Sequence, residues 1–381
     1  MSHADTIVAL PQGAEAVAST ENIPYAAFVW PEKKVIGVQF HPEVSHTAYG
    51  QVMLENFLRG VCGFKDTWRA EDTASELIEA LLQAMPTGGA VCALSGGVDS
   101  TVAAMLVYRA ISERFQGIFV DTGLLRKGER EAVLSAYEAL RLPVRLVNAS
   151  EAFLRALSGV TDPEEKRRRI GKLFIDAFSE AASALPDVKY LVQGTIYPDV
   201  VESGASVAPL IKSHHNVGGL PAHVPFEIIE PLRLLFKDEV RRLGLRLGVP
   251  DALLRRHPFP GPGLAVRIVG EVTPERLATL READARFLQV LHETGWYDHV
   301  WQAFAVLLPI HTVGVAGDNR HYGQVIALRA VLSSDGMTAE SVELPWEVLS
   351  QAAQRILQEV PGITRVVYDL SSKPPATIEW E

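Results

Sequence analysis

The run Ala93-Leu94-Ser95-Gly96-Gly97-Val98-Asp99-Ser100-Thr101 gathers glycines, hydroxyls and a carboxylate at a spacing suited to holding a phosphate. Gly96 and Gly97 let backbone approach an anion where a Cβ would obstruct it. Ser95, Ser100 and Thr101 add hydroxyl donors. A helix starting just after the turn would aim its free N–H groups and its positive dipole end at the same point. Asp99 does not belong beside an anion unless a cation accompanies it, which implies magnesium. The run is not a Walker A loop, since it lacks that spacing and its lysine.

Other residues along the chain could join this chemistry. Asp199 and Glu202 are three apart and share a face if that stretch is helical; a magnesium pair and a solvated acidic face both fit. Lys212, His214, His215 and Asn216 form a polar run in a Gly-rich stretch that suits a lid, although two adjacent histidines also read as a surface pair or a stray metal site. Lys237 and Asp238 open a predicted helix and by themselves read as a first-turn pair. Asp121 ends a predicted strand, where it could reach a ribose or magnesium or simply shape a turn.

The elements that must position these residues alternate. Predicted strands Ala90–Leu94, Gln116–Asp121, Val144–Asn148 and Lys189–Gln193 are interleaved with helices Ala74–Ala84, Thr101–Arg114, Gly128–Leu140 and Glu164–Ala184. That order predicts a parallel sheet with helices on both faces and a ligand at the carboxyl ends of the strands. The phosphate run and Asp121 both fall at such ends. Before this region, Tyr25–Trp30 and Lys34–Phe40 read as a hairpin and Gln51–Leu58 as a short helix, a segment too small to bury a core alone. After it, His257-Pro258-Phe259-Pro260-Gly261-Pro262-Gly263 cannot be helical and reads as an ordered linker. Beyond lie strand Ala265–Val269, helix Pro274–Glu293, strands near Phe304–Leu308 and Val325–Leu332, helix Trp346–Glu359 and strand Arg365–Tyr368, an α+β pattern able to pair with a copy of itself.

The chain has 381 residues, enough for two or three domains, and 48% apolar content supports full cores. Its 46 acidic against 36 basic side chains give a net charge of −10, which argues against a nucleic-acid binder. Cys62 and Cys92 follow no pattern, which fits a reducing compartment. With no signal peptide and no apolar run of spanning length, the reading is a cytoplasmic protein without a membrane partner. There is no internal repeat or low-complexity tract.

The phosphate run resembles the SGGxDS loop of the N-type ATP pyrophosphatases, which cleave ATP to AMP and pyrophosphate. Over the whole chain the resemblance sharpens to the GMP synthetases. It is carried by Ser95–Thr101, Gln193–Ser203, Ile211–Leu220, Phe236–Arg241, His257–Gly263 and the tail Lys373-Pro374-Pro375-Ala376-Thr377-Ile378-Glu379-Trp380-Glu381, in that order. It implies an α/β chain with an N-terminal amidotransferase fragment (1–63), a parallel-sheet ATP pyrophosphatase domain (64–257) and a C-terminal α+β dimerisation and XMP-binding domain (258–381). It implies a two-step reaction as well. XMP attacks the α-phosphorus of ATP and releases pyrophosphate; ammonia then displaces AMP to give GMP.

For individual residues, the resemblance implies that Ser95, Gly96, Gly97, Val98, Asp99, Ser100, Thr101 and Asp121 bind ATP. Asp99, Asp199 and Glu202 would hold magnesium. Lys212, His214, His215, Lys237 and Asp238 would be catalytic, and Arg167, Gln302, Arg365, Lys373, Ile378 and Glu379 would hold XMP. On its residues alone, Arg167 reads as part of a solvated helix face and the tail as an end free to fray, although Ile378 and Trp380 behind two prolines argue for order.

Gln39-Phe40-His41-Pro42-Glu43 resembles the His–Glu end of a class I amidotransferase triad, whose cysteine nucleophile has no counterpart here: neither Cys62 nor Cys92 lies in a Gly-x-Cys-x-Gly elbow. The chain therefore reads as a synthetase lacking the front of that domain, using free ammonia or ammonia from a separate glutaminase subunit. Two other readings compete. One is another ligase with the same loop, such as an NAD synthetase, an argininosuccinate synthetase or a tRNA thiolation enzyme; the first two leave the Lys373–Glu381 tail unexplained, and the third wants a cysteine pair and a basic surface. The other is a non-catalytic nucleotide-binding remnant, which an intact loop does not favour.

Overall fold

A computed structural model describes residues 5–44, 47–65, 73–202, 226–316, 318–333 and 336–381. Lys212, His214 and His215 lie outside the described residues, as does the side chain of Glu202. The chain divides into two compact units, Met1–Trp68 and Arg69–Glu381.

In the first unit, β1 (Glu15–Ala18), β2 (Ala27–Trp30) and β3 (Val35–Val38) form an antiparallel sheet, followed by α1 (Gly50–Asn56). The β2–β3 hairpin turns through a single 3-10 turn at Pro31–Lys33. Among its described residues only Ala26, Ala27 and Gly50 are buried, while Ile36, Val38, Met53, Leu54, Phe57 and Leu58 are exposed. A core of that size stabilises little.

The second unit is built on a five-stranded parallel sheet ordered β6-β5-β4-β7-β8, from β4 (Gly89–Leu94), β5 (Phe115–Asp121), β6 (Val144–Asn148), β7 (Val188–Val192) and β8 (Glu227–Ile229). Alternation sends successive side chains to opposite faces. Val91, Ile118 and Val120 join one apolar cluster; Ala90, Cys92, Leu94, Phe115 and Phe119 join another. The second cluster is completed by α2 (Ala74–Ala84), α3 (Val98–Ile111), α4 (Glu129–Ala139), α8 (Lys237–Arg246) and α9 (Asp251–Leu254). The first is covered by α5 (Ser150–Leu157) and α6 (Pro163–Ser183). Helix α7 (Tyr197–Glu202) follows β7.

The same first cluster continues without a break into α10 (Pro274–Glu293), β9 (Gln302–Ala316), β10 (Asn319–Leu332) and α11 (Trp346–Glu359). Strand β10 is central to a second sheet. It runs antiparallel to β9 and to β11 (Glu340–Ser341), and parallel to β12 (Ile363–Tyr368). Ala303, Ala305, Leu307, Ile326 and Leu328 face the helices, while Phe304, Val306, Leu308, Val325 and Ala327 face the other way and pack with Ile378 of the tail.

Two expectations need correction. Ala265–Val269 is not a strand: Gly263–Arg267 is a 3-10 turn, and only Ile268 bridges to Leu307. Gly263 is left-handed (φ +63°) and a Cβ there would sit 2.5 Å from the Leu124 carbonyl oxygen, so the chain cannot enter this stretch extended. The helix after the phosphate run starts at Val98 rather than Thr101, so Asp99 and Ser100 belong to its first turn.

Candidate active site

The phosphate run leaves β4 at the carboxyl edge of the sheet and turns straight into α3. Gly96 is left-handed (φ +75°), and a Cβ there would lie 2.7 Å from both Arg256 Nη1 and Val133 Cγ2. The Gly96 N–H donates to Tyr137 Oη at 3.1 Å, and its carbonyl accepts from Arg256 Nη1 at 2.7 Å. Gly97 N–H donates to Ser95 Oγ at 3.3 Å, while Ser100 Oγ and Thr101 Oγ1 donate to the Gly97 carbonyl at 3.2 and 2.7 Å. Gly97 is the N-cap of α3 and offers no side chain to cap it. The first-turn N–H groups of Val98, Asp99 and Ser100 therefore have no intrahelical acceptor and remain for an anion. Gly194, just past β7, lets that strand end touch the helix start: a Cβ would lie 2.8 Å from Ser100 N.

Lys237, first residue of α8, reaches across to Asp99 with Nζ 2.5 Å from Oδ2. Asp99 Oδ1 is buried and has no hydrogen-bond partner, and nearby in sequence to Gly194 the Thr195 hydroxyl is in the same condition. An orphaned buried carboxylate oxygen next to bare N–H groups suits a hard cation carrying phosphate oxygens. Among the described residues no three His, Cys, Asp or Glu side chains converge.

Other candidates are placed differently. Asp238 is exposed and pairs with Arg242 at 3.0 Å one turn along α8. Asp199 turns back to accept from the Ile196 N–H at 3.1 Å. Asp121 is buried, accepting from Gly123 N–H at 2.9 Å and pairing with Arg130 at 3.1 Å, the geometry of a turn-shaping aspartate.

The tail is ordered around two fully buried arginines. Arg267 grips Glu379 with both prongs, Nε to Oε2 and Nη2 to Oε1, each 2.8 Å. Its guanidinium lies 4.0 Å from the Phe304 ring centroid and 5.2 Å from that of Phe259. Burial works against the charge on Arg267, and the carboxylates of Glu379, Asp284 and Glu129 together outweigh it, so its pKa stays above the ordinary arginine value. Gln302, only 3% exposed, donates to Glu379 Oε1 and to the Pro258 carbonyl, both at 2.9 Å. Arg329 donates to the carbonyls of Ile378, Thr377 and Ser371 and pairs with Asp369 at 2.7 Å. Lys166, also wholly buried, pairs with Glu381, and Arg167 donates to the Glu381 carbonyl. Lys373 Nζ donates to the Gly336 carbonyl at 2.8 Å. Arg365 stands on the exposed side of β12, away from these contacts.

Between the loop and the tail runs the proline-rich linker. Phe259 is flanked by two guanidinium groups, Arg126 at 5.3 Å and Arg267 at 5.2 Å. Arg126 pairs with buried Asp284 at 3.1 Å. His257 stacks on Tyr297 (3.8 Å, 8°), meets its carbonyl through Nε2 at 2.9 Å and accepts the Ala303 N–H on Nδ1 at 3.3 Å. That pattern requires the neutral Nε2–H tautomer. Burial pushes the imidazole pKa down from 6.5 to about 4. The unfolded chain binds this proton below pH 6.5 while the folded chain resists it. His257 stabilises fully above about pH 6.5, and on the order of 3 kcal/mol is expected to vanish as pH falls towards 4. Urea unfolding at pH 7.5 and 4.5 checks this. His257→Asn, which cannot titrate, should lose less stability over that interval than the parent; an equal loss would show the histidine is not responsible.

In the first unit His41 Nδ1 lies 2.5 Å from Glu43 Oε1, and this hydrogen bond holds the Glu43 carboxyl below its ordinary pKa. The pair meets across a turn beyond β3, not by strand alternation. Cys62 is exposed; Cys92 is buried within β4, and burial pushes its thiol up to about 12, far from a nucleophile's range.

Tyr137, Arg256, Phe259, Arg126 and Arg267 were not legible as site residues, because each acts on a partner remote in the chain. A faint signal existed in the placement of Arg256 directly before the proline-rich linker.

A glycine turn at the carboxyl edge of a parallel sheet, overhung by a lysine–carboxylate pair, is the architecture of an ATP pyrophosphatase-type domain. Three family models match: glutamine amidotransferase class-I over residues 1–61, NAD synthase over 72–172 and the GMP synthase C terminal domain over 289–380. The chain is 54% identical to GMP synthase (glutamine-hydrolyzing) of Aquifex aeolicus over 382 residues, and 55% identical to that of Caldicellulosiruptor saccharolyticus over 383, covering 100% of this chain and 75% of either relative. Among solved structures, NMN synthetase from Francisella tularensis is similar over 52% of this chain and 79% of that chain, at TM-score 0.40 and 19% identity, a likeness too slight to build on. The chain belongs to the GMP synthase family of ATP-dependent ligases. Among the described residues no helix is long and apolar enough to cross a membrane.

Proposed function

We propose that this chain converts XMP to GMP with ATP and ammonia. The single observation that carries the reading is the Lys237–Asp99 pair set over bare N–H groups at the start of α3. In the first step the O2 of XMP forms a bond to the α-phosphorus of ATP, and the bond to the departing pyrophosphate breaks. In the second, ammonia adds at C2, the C2–O bond breaks, AMP departs and nitrogen sheds its extra proton. Both steps gather negative charge, so donors fixed in advance do most of the work. The first-turn N–H groups and Ser95 and Ser100 would hold the β,γ-phosphates. Lys237 would neutralise charge building on the leaving pyrophosphate. Asp99 Oδ1 would hold magnesium together with phosphate oxygens, and Asp199 and Glu202 would assist. Magnesium, when bound, supplies charge neutralisation at the phosphates. Catalytic roles for Lys212, His214 and His215 rest on the family resemblance.

On the XMP side, Glu379 spends three acceptor positions on Arg267 and Gln302, which leaves one on Oε2 for a purine N–H. Arg167, Arg365, Lys373 and Ile378 complete the proposed XMP set, with Lys373 and Ile378 also holding the tail in shape. The domain division 1–63, 64–257 and 258–381 belongs to this proposal, as does a cytoplasmic location, which two free cysteines suit. So does a homodimer, supported by Ile310, Val313, Val315 and Tyr322 exposed along the β9–β10 hairpin; a monomer in sedimentation at working concentration would remove it. An NAD synthetase-like reading explains residues 72–172 but not the tail.

Ammonia is preferred to glutamine because neither cysteine accompanies His41 and Glu43 in a nucleophile elbow. The purified chain, given XMP, ATP and magnesium, should release AMP and GMP with ammonium and no GMP with glutamine. ADP in place of AMP, or AMP formation indifferent to XMP, would overturn the synthetase reading. Glutamine-driven GMP without a second protein would overturn the ammonia dependence.

A further inference from the structure

The phosphate loop is shaped by residues that never meet a phosphate. Helix α4 buries three residues, Glu129, Val133 and Tyr137, spaced one turn apart on a single face. All three address Gly96. Tyr137 accepts its N–H, Val133 fills the space a side chain would need, and Glu129 anchors Arg256, which holds its carbonyl.

The protons can be assigned. Thr101 has one hydroxyl hydrogen, given to the Gly97 carbonyl at 2.7 Å. In the 3.3 Å contact between Thr101 Oγ1 and Tyr137 Oη, the tyrosine must therefore donate. Its oxygen is then free to accept from Gly96. Burial keeps this phenol protonated, with its pKa pushed up to about 12. On the opposite side Arg256 spends one prong on Gly96 and the other on Glu129, whose second oxygen accepts the Arg126 N–H at 2.8 Å.

We propose that Tyr137 and Arg256 are positioning residues for ATP, fixing the two peptides that flank Gly96, Tyr137 the Ser95–Gly96 unit and Arg256 the Gly96–Gly97 unit, so that the donors after it keep one orientation. The proposal rests on the reading of this loop as the ATP phosphate site. The Gly96 N–H is withdrawn from the anion set, and the Gly96 carbonyl is held by a cation. A flip of the Gly96–Gly97 peptide would break the Arg256 contact, and a flip of the Ser95–Gly96 peptide would break the Tyr137 contact. Supporting contacts of this kind matter because donors displaced by fractions of an ångström lose most of their effect.

The test uses the full chain with ammonium as nitrogen donor. Tyr137→Phe removes the acceptor of the Gly96 N–H together with the donor to Thr101 Oγ1, and leaves the ring in place. Arg256→Lys keeps a cation for Glu129 but loses the fork. Each should raise the KM for ATP about five- to tenfold, with the KM for XMP within twofold of the parent. A purely structural role would shift both constants or neither, and either pattern overturns the proposal. If Arg256→Lys fails to fold, Tyr137→Phe decides alone. Failure of the underlying reading looks different: Lys237→Met and Asp99→Asn would then leave ATP use untouched, whereas failure of the clamp alone leaves those two impaired.

Discussion

Asp99→Asn is expected to lower the rate of AMP formation about 10²- to 10³-fold at saturating ATP, XMP, magnesium and ammonium. Asparagine preserves the shape of the side chain and removes its charge. Lys237 Nζ, 2.5 Å from Oδ2 in the parent, would then face a neutral amide. The second oxygen, buried and bare, would lose its ability to hold a cation at the phosphates. Both members of the pair are more than a quarter exposed on their side chains, so folding stability should change by less than about 1 kcal/mol. The effect should appear in kcat more than in melting. Steady-state AMP release measures it; a rate within threefold of the parent would reduce Asp99 to an anchor for Lys237 and remove it from the metal assignment.

The largest stability effect is expected at Arg267. This side chain is wholly buried, doubly hydrogen-bonded to Glu379 and packed on Phe304. Arg267→Leu leaves the Glu379 carboxylate 14% exposed with Gln302 as its remaining partner. Stranding one half of a buried pair costs about 3–5 kcal/mol. The tail should loosen with it, so the KM for XMP should rise. Urea unfolding of the parent, Arg267→Leu and the double change Arg267→Leu with Glu379→Gln reads this directly. The double variant should regain much of the loss, since no charge is left unpaired. A single-variant cost below 1 kcal/mol, or no recovery in the double, would show that the pair does not hold the tail.

The helical start at Val98 matters to both the rate and the clamp. The strand–turn–helix arrangement at residues 95–101 was legible because each requirement is local: an apolar strand, a turn with glycine at its left-handed position, a helix to follow. The parallel sheet was legible for the same reason, through alternation of short apolar runs with helical periods. Ala265–Val269 misled because β-branched residues on either side of Arg267 read the same in a buried 3-10 turn as in a strand. What separated them was Gly263 pressed against the Leu124 backbone, a contact made by folding.

Lys237 and Asp238 are adjacent first-turn candidates of opposite charge; Lys237 reaches Asp99 while Asp238 faces solvent beside Arg242. The packing of α8 against α3 is what brings Lys237 to that carboxylate. Gln302 and Glu379, 77 residues apart, share a hydrogen bond, and Arg267 lies 112 residues from the carboxylate it grips. No spacing rule reaches that far.

From the amino-acid order alone came the family, the glycine turn between strand and helix, and the layered sheet. These depend on propensities and periods that act over a few residues. The tertiary structure alone decided which cation meets Asp99, what holds Gly96 in place and how a charged tail is seated against an apolar sheet. Those are pairings between distant residues, set by how helices and strands pack and by the need to satisfy every charge taken out of water.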